Sequence, residues 1–264
     1  MRIRVLGCHG SDQRIADFHG LWSCHACGFL INDVVLLDAG TICSKLTLEQ
    51  QLRIQHVLLS HLHFDHIKDL PLLADNVAEL RTTPVVVAGI PEVLNGLEAH
   101  VFNEIVYPNF FRLPAPNRPT LTSKIIEPRT MYQLSGLEVT PIAVNHLVPT
   151  VGFLIGDGVS SVLYGGDTYV TEEIWDVAAR TPSLKAVFIE ASFPNEEAEL
   201  ARASKHLTPA LLAQGFERIG RPDLPVYVYH LKPRFRDRII KQLGVLGIGR
   251  LSVLEEGQTL LIGE

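Results

Sequence analysis

Four apolar, strand-like segments in this chain each stop on a histidine or an aspartate, and that pattern limits the folds open to it. HVLLS runs into SHLHFDHIKDL (60–70), a stretch with three histidines and two aspartates. VTPIAVN ends at His146, SSVLYGG at Asp167 and VYVY at His230. A lone histidine at a strand end is ordinarily a hydrogen-bonded surface residue. Seven ligand-type side chains at four strand ends (His61, His63, Asp65, His66, His146, Asp167 and His230) are not explained that way. They call for a fold that gathers distant strand ends on one edge, where α/β proteins keep their chemistry.

Periodicity and turn signals supply the rest of the frame. IRVLGC, CGFLIN and DVVLLDAG read as strands, with Asn32-Asp33 as a hairpin turn between the last two. TPVVVAG, LEVTPIAVNH, VGFLIGDG, VSSVLYGGD, LKAVFIEAS and LPVYVYHL are further strands. LTLEQQLRI, the stretch after the histidine motif, IPEVLNGLEAHVF, TEEIWDVAAR, TPALLAQGFERIG and RFRDRIIKQLG read as helices. Each half is a run of hairpin strands followed by β–α alternation. The expected fold is an α/β, αββα sandwich of two mixed β-sheets flanked by helices, a single domain over 1–264. Residues 103–124 are rich in Pro and Asn, and we expect an inserted loop at about 103–130.

Composition excludes some functions. With 264 residues, 47% hydrophobic and 20% charged, the chain has the make-up of a soluble globular protein. No apolar run approaches the ~20 residues of a membrane helix, and the start lacks a signal peptide's features, so the expected location is cytoplasmic. The net charge of −6 argues against a nucleic-acid partner. The basic run KPRFRDR (232–238) reads as a solvated helix start. Cys24-His-Ala-Cys27 is a CxxC pair without a second pair or a histidine pair to complete a structural zinc site, so the four cysteines read as reduced thiols. His9, His19, His25, His56 and His100 have no assignable partner in sequence and default to structural roles.

In an extended segment His61 and His63 point to one side, so both imidazoles could reach one ion at ~2.0–2.1 Å. Asp65 and His66 lie where the chain turns into a helix and could serve a second ion ~3.5–4 Å away. Nitrogen and oxygen ligands favour zinc, with manganese or iron as alternatives.

The run His61-Leu-His63-Phe-Asp65-His66 resembles the H-x-H-x-D-H signature of the metallo-β-lactamase superfamily. His146, Asp167 in GGDT and His230 match its later ligand positions in order, and DAGT (38–41) resembles its supporting acidic turn. The resemblance implies one metal on His61, His63 and His146, another on Asp65, His66 and His230, and Asp167 between them. His63, where the flavo-diiron branch carries an acid, disfavours that branch.

A second constellation, EASFPNEEAELARASKHLTP (190–209), narrows the branch. Phosphodiester cleavage needs a nucleophile, charge neutralisation and an acid for the leaving oxygen. Here His206, oriented by Glu190, would be the acid, with Thr208 capping the next helix ahead of Pro209. The pair resembles the proton-donor arrangement of the phosphodiesterase branch, which includes tRNA 3′-end processing endonucleases and class II 3′,5′-cyclic-nucleotide phosphodiesterases. SKHLTP, YHLKP and residues 100–110 are similar to the class II enzymes. The long basic arm of the tRNA enzymes is missing. Phe64, where leucine is usual, and Asp69, where a small residue is usual, depart from the pattern.

The expectation is therefore a dimetal phosphodiesterase acting on a small-molecule cyclic nucleotide, with a homodimer compatible and no membrane partner. Asp65, His206 and Glu190 are the candidate catalytic residues. Lys205, Lys232, Tyr107, Phe110 and Phe111 are candidates for contacting phosphate and base. A tRNA-processing type of endonuclease and a lactone or thioester hydrolase are the alternatives.

Overall fold

The computed structural model describes residues 1–17 and 20–263, so His19 lies outside the described residues. Two seven-stranded sheets carry the architecture. In space, the first runs Leu121–Ile125, Val85–Gly89, His56–Leu58, Val35–Leu37, Gly28–Ile31, Arg2–Gly7 and Thr259–Leu261. The second runs in chain order: Tyr132–Leu134, Leu137–Val144, Thr150–Gly156, Ser161–Tyr164, Leu184–Glu190, Val226–Tyr229 and Leu251–Val253. Each sheet joins an antiparallel meander to a parallel part.

The sequence accounts for both parts. Asn32 and Asp33 have φ of 48° and 62°, values Asn and Asp tolerate, and they close the hairpin between Gly28–Ile31 and Val35–Leu37. The parallel strands VVVAG, LKAVFIE and VYVY are nearly continuous apolar runs, as strands covered on both faces must be. Helices cover the outer faces. Leu70, Leu73, Val77, Val93 and Leu97 pack on the first sheet. Ile174, Trp175, Leu212, Phe216, Ile239 and Leu243 pack on the second. Each such side chain contributes about 1.5–3 kcal/mol over leaving it in water.

Between the sheets lies an aromatic layer. Tyr164 and Tyr229 stack with ring centroids 5.0 Å apart, and Phe29 meets each edge-on at 5.7 Å. Both buried hydroxyls are used: Tyr164 OH donates to Asp38 Oδ2 at 2.7 Å and Tyr229 OH to the Gly166 carbonyl at 2.7 Å. These two bonds tie the core to the edge where the polar strand ends gather.

The expected loop at 103–130 needs correction. Leu121–Ile125 is a strand, paired in parallel with Val85–Gly89 at the edge of the first sheet. Only Leu121 of it is fully buried, and the half-polar sequence LTSKI hides an edge strand. The irregular part is shorter, closed by a small ribbon of Pro114–Ala115 and Arg118–Pro119. A hairpin of Gln13–Asp17 with Gly20–Cys24 and a helix at Ala198–Ser204 were not expected from sequence. No helix among the described residues is long and apolar enough to cross a membrane.

Candidate metal centre

The strands that end in histidine or aspartate deliver those residues to one place. His61, His63, His146 and Asp167 offer ligand atoms that all lie within 4.8 Å of one another. Asp167, His206 and His230 form an overlapping group. Asp167 Oδ2 is 3.4 Å from His66 Nε2, 3.2 Å from His230 Nε2 and 3.8 Å from His61 Nε2. Asp65 Oδ2 reaches within 3.4 Å of His230 Nε2. His63 Nδ1 lies 3.1 Å from His146 Nε2.

The outward nitrogens explain how the rings are aimed. His66 Nδ1–H donates to Asp38 Oδ2 at 2.8 Å, and His146 Nδ1–H to the Lys205 carbonyl at 2.9 Å. His61 Nδ1 is 2.9 Å from Ser60 Oγ, whose own hydrogen goes to Asp38 Oδ2 at 2.8 Å. His230 Nδ1–H donates to Ser192 Oγ at 2.8 Å. Each bond fixes a tautomer that leaves a lone pair on Nε2, facing inward.

Of these inward nitrogens only that of His146 has a partner, His63 Nδ1 at 3.1 Å. His61 Nε2, His66 Nε2, His230 Nε2 and Asp167 Oδ1 are buried and make no hydrogen bond. Orphaned buried polar atoms are costly, and three ring nitrogens around a carboxylate that itself has an orphaned oxygen are better explained by cations than by packing. The all-nitrogen and oxygen set fits divalent ions of the zinc type. For four of the rings, electrostatics agree. Burial pushes the pKa values of His61, His63, His146 and His230 down, keeping these rings neutral and available as ligands. Burial also opposes charge on His66, but Asp167 and Asp38 outweigh it and raise its pKa. Asp167 stays ionised against burial because His230 and His66 face it.

Local sequence sets these positions. His63 ends the extended segment and is the N-cap residue of the short helix Phe64–Ile67, which carries Asp65 and His66 in its first turns. Gly40 is required beneath it, because a Cβ there would lie 2.0 Å from the Asp65 carbonyl oxygen. The unusual Asp69 has a structural use: its Oδ2 accepts from the backbone N–H of Ile42 and Cys43 at 2.7 and 2.9 Å. Phe64, the other departure, is 71% exposed.

Glu190 and His206 sit beside the cluster. His206 Nδ1–H donates to Glu190 Oε1 at 2.7 Å, and that oxygen also accepts from Thr168 N at 2.9 Å. Burial opposes protonation of His206, but Glu190 overcomes it and raises the pKa. The ring is placed by helix endings. Lys205 adopts a left-handed conformation (φ 57°) after Ala198–Ser204, and His206 N donates back to the Ala201 carbonyl at 2.9 Å. Thr208 then caps Pro209–Glu217 through Leu211 N.

The other candidates divide. Lys205 meets the site through its carbonyl, while its ammonium lies 5.6 Å over the Tyr169 ring. Lys232 Nζ donates to the Gly10 carbonyl at 2.6 Å. Phe110 is 6% exposed and, like Phe111, packs in the aromatic cluster around Phe102 and Tyr107. Tyr107 lines a groove of about 430 Å³ with Leu62, Phe64, Leu72 and His100. Sequence reasoning missed Ser60 and Ser192, whose hydroxyls are too common to stand out. It also read Cys27 as an ordinary thiol, whereas this buried side chain lies within 4.8 Å of ring nitrogens of His66 and His230.

Comparison with known proteins agrees with this architecture. A 3′,5′-cyclic-nucleotide phosphodiesterase 1 from Saccharomyces cerevisiae is 25% identical over 251 residues, covering 77% of this chain but only 66% of the relative, just under two thirds of its length. The crystal structure of unliganded yeast PDE1 superposes with a TM-score of 0.80 at 18% identity over 98% of both chains. The metallo-beta-lactamase fold protein YhfI from Bacillus subtilis gives 0.77 at 18% identity, over 98% of this chain and 99% of that one. Human tRNase Z, short form, gives 0.69 at 14% identity over 100% of both. At these identities the structures speak for the fold alone. Residues 34–229 match the family described as the beta-lactamase superfamily domain. The chain therefore belongs to the beta-lactamase superfamily and has the metallo-β-lactamase fold.

Proposed function

We propose that this protein is a dimetal phosphodiesterase that hydrolyses 3′,5′-cyclic nucleotides to nucleoside 5′-monophosphates. The observation that carries the reading is the buried His206–Glu190 pair, bonded at 2.7 Å and set against the ligand cluster at Asp167 and His230. Acyl hydrolysis at such a centre has less need of a separate, carboxylate-supported proton donor. Cleavage of a phosphodiester with an alkoxide leaving group needs one. The 25% identity to the yeast cyclic-nucleotide enzyme points the same way.

His61, His63 and His146 would hold one ion, Asp65, His66 and His230 the other, and Asp167 would face both. Two divalent ions there would supply a water activated at neutral pH and charge neutralisation for the phosphate. The chain's own residues do the rest. Glu190 holds the His206 Nδ1 proton, so the Nε2 proton is the one available to the departing 3′-oxygen. The raised pKa favours the protonated form of His206, the one that can donate. Tyr107, on the groove beside Phe64, is the aromatic best placed for a base to stack on.

The test is turnover of cAMP and cGMP by protein loaded with Zn²⁺ or Mn²⁺, beside Asp65→Ala. A 5′-monophosphate product, absent with the variant, is the expected result. No cyclic-nucleotide turnover, with cleavage of a tRNA precursor or of a lactone or thioester instead, would overturn the substrate.

A further inference from the structure

Ser192 lies two residues beyond Glu190, fully buried, where the ligand cluster and the proton-donor pair meet. Its hydroxyl oxygen is 2.8 Å from His230 Nδ1, 2.5 Å from Glu190 Oε2 and 3.2 Å from His206 Nδ1. It also lies 3.1 Å from the His230 carbonyl. A serine hydroxyl has one proton to give and two lone pairs. In the short contact Ser192 donates to Glu190 Oε2. The His230 Nδ1–H then donates to Ser192. The remaining proton donor, His206 Nδ1–H, is engaged by Glu190 Oε1.

The directions follow: His230 to Ser192, Ser192 to Glu190 by the shorter of its two donor contacts, and His206 to Glu190 from the other side, with the His230 carbonyl as the more distant second acceptor for the same hydroxyl. One carboxylate therefore anchors two histidines with different roles. It holds His206 directly and His230 through the serine. Nothing else on the His230 ring is fixed by hydrogen bonding, since its Nε2 has no hydrogen-bond partner and faces Asp167 and Asp65.

We propose that Ser192 is a positioning residue that couples Glu190 to the second metal position, so that the carboxylate orienting the proton donor also tunes a metal ligand it does not touch. The inference rests on the metal centre argued above but not on any substrate. Ligand-orienting partners of this kind are worth ~10–100-fold in metal affinity.

The experiment titrates metal-free protein with Zn²⁺ against a chromophoric chelator, resolving the tighter and the weaker ion, with no substrate present. Ser192→Ala should weaken one ion ~10–100-fold and leave the other unchanged. Glu190→Gln should weaken the same ion by a smaller factor. In the Ser192→Ala background Glu190→Gln should add nothing, because the route between them is gone. Additive losses, equal weakening of both ions, or no change in either would overturn the proposal. If Ser192→Ala fails to fold, as its circular dichroism would show, Ser192→Cys with and without Glu190→Gln gives the same cycle, read the same way. Failure to hydrolyse cyclic nucleotides would count against the proposed function and leave this result standing. Wild-type protein that binds no ion would remove both.

Discussion

Two clusters in this molecule bring histidines around a carboxylate, and only one looks like a reactive centre. Around Asp167, the Nε2 atoms of His61, His66 and His230 converge with no hydrogen-bond partner. Around Glu256 the approaches are two hydrogen bonds from His25 and ion pairs with Lys45 and His9. His25 Nδ1 lies 2.7 Å from one oxygen, His25 N donates to the other at 2.7 Å, Lys45 Nζ is at 2.8 Å and His9 Nδ1 at 3.3 Å. The residue types are the same; the difference lies in what is left unspent. A satisfied cluster braces the N-terminal strand against the last loop. An unsatisfied one, buried and aimed inward, is arranged for something not made of protein.

The largest expected effect that tests this contrast is at Asp167. Asp167→Asn removes the charge that three histidines face and should cost more metal affinity than the ~10–100-fold of an orienting residue. Metal content after dialysis measures it; full retention would break the comparison. Next is His206→Ala, which should lower kcat on cAMP by ~10²–10⁴. The loss should be smaller on a p-nitrophenyl ester, whose leaving group needs no proton, and equal losses would remove His206 from the role. Asp38→Asn comes third. Asp38 accepts from His66, from Ser60 and from Tyr164, so the change should weaken metal binding ~10–100-fold with the fold retained.

The smallest effect belongs to the other cluster. Glu256→Gln should leave metal affinity and activity unchanged and cost about 1–2 kcal/mol of stability at neutral pH, after discounting for solvent screening. Burial would raise the Glu256 pKa, but hydrogen bonds from His9, Lys45 and His25 outweigh it and bring it down to about 2. A depressed carboxylate contributes stability above its unfolded pKa and loses it as pH falls toward the folded value. The gap between wild type and Glu256→Gln in urea midpoint should therefore close between about pH 4.5 and pH 2. A gap constant across that range would show that Glu256 acts by packing.

The candidate ligands were legible in the sequence because they interrupt apolar strands: His146, Asp167 and His230 each follow a β-run that has no other reason to end in that residue type. The two-sheet plan was legible for a related reason, since hairpin turns and apolar parallel strands leave local signatures. What stayed hidden depends on distance along the chain or on the direction of a hydroxyl. Glu256 braces His25 across 231 positions, and nothing near either residue announces it. Ser60 and Ser192 matter only because of where one hydrogen points. Leu121–Ile125 escaped notice because an edge strand needs only one apolar face, and this one has little of that. The aromatics at 107–111 read as base-stacking candidates from type alone, while the structure packs Phe110 inside the segment.

The aromatic layer between the sheets has a further consequence. His61, His63, Asp65 and His66 follow a strand of the first sheet, whereas His146, Asp167 and His230 follow strands of the second. Phe29, Tyr164 and Tyr229 pack together between the two sheets, and the Tyr164 and Tyr229 hydroxyls bond Asp38 and the Gly166 carbonyl beside these two sets. A substitution there, such as Phe29→Leu, should shift the two sets relative to each other without touching any of their residues, so the metal preference of the candidate centre would depend partly on the hydrophobic core.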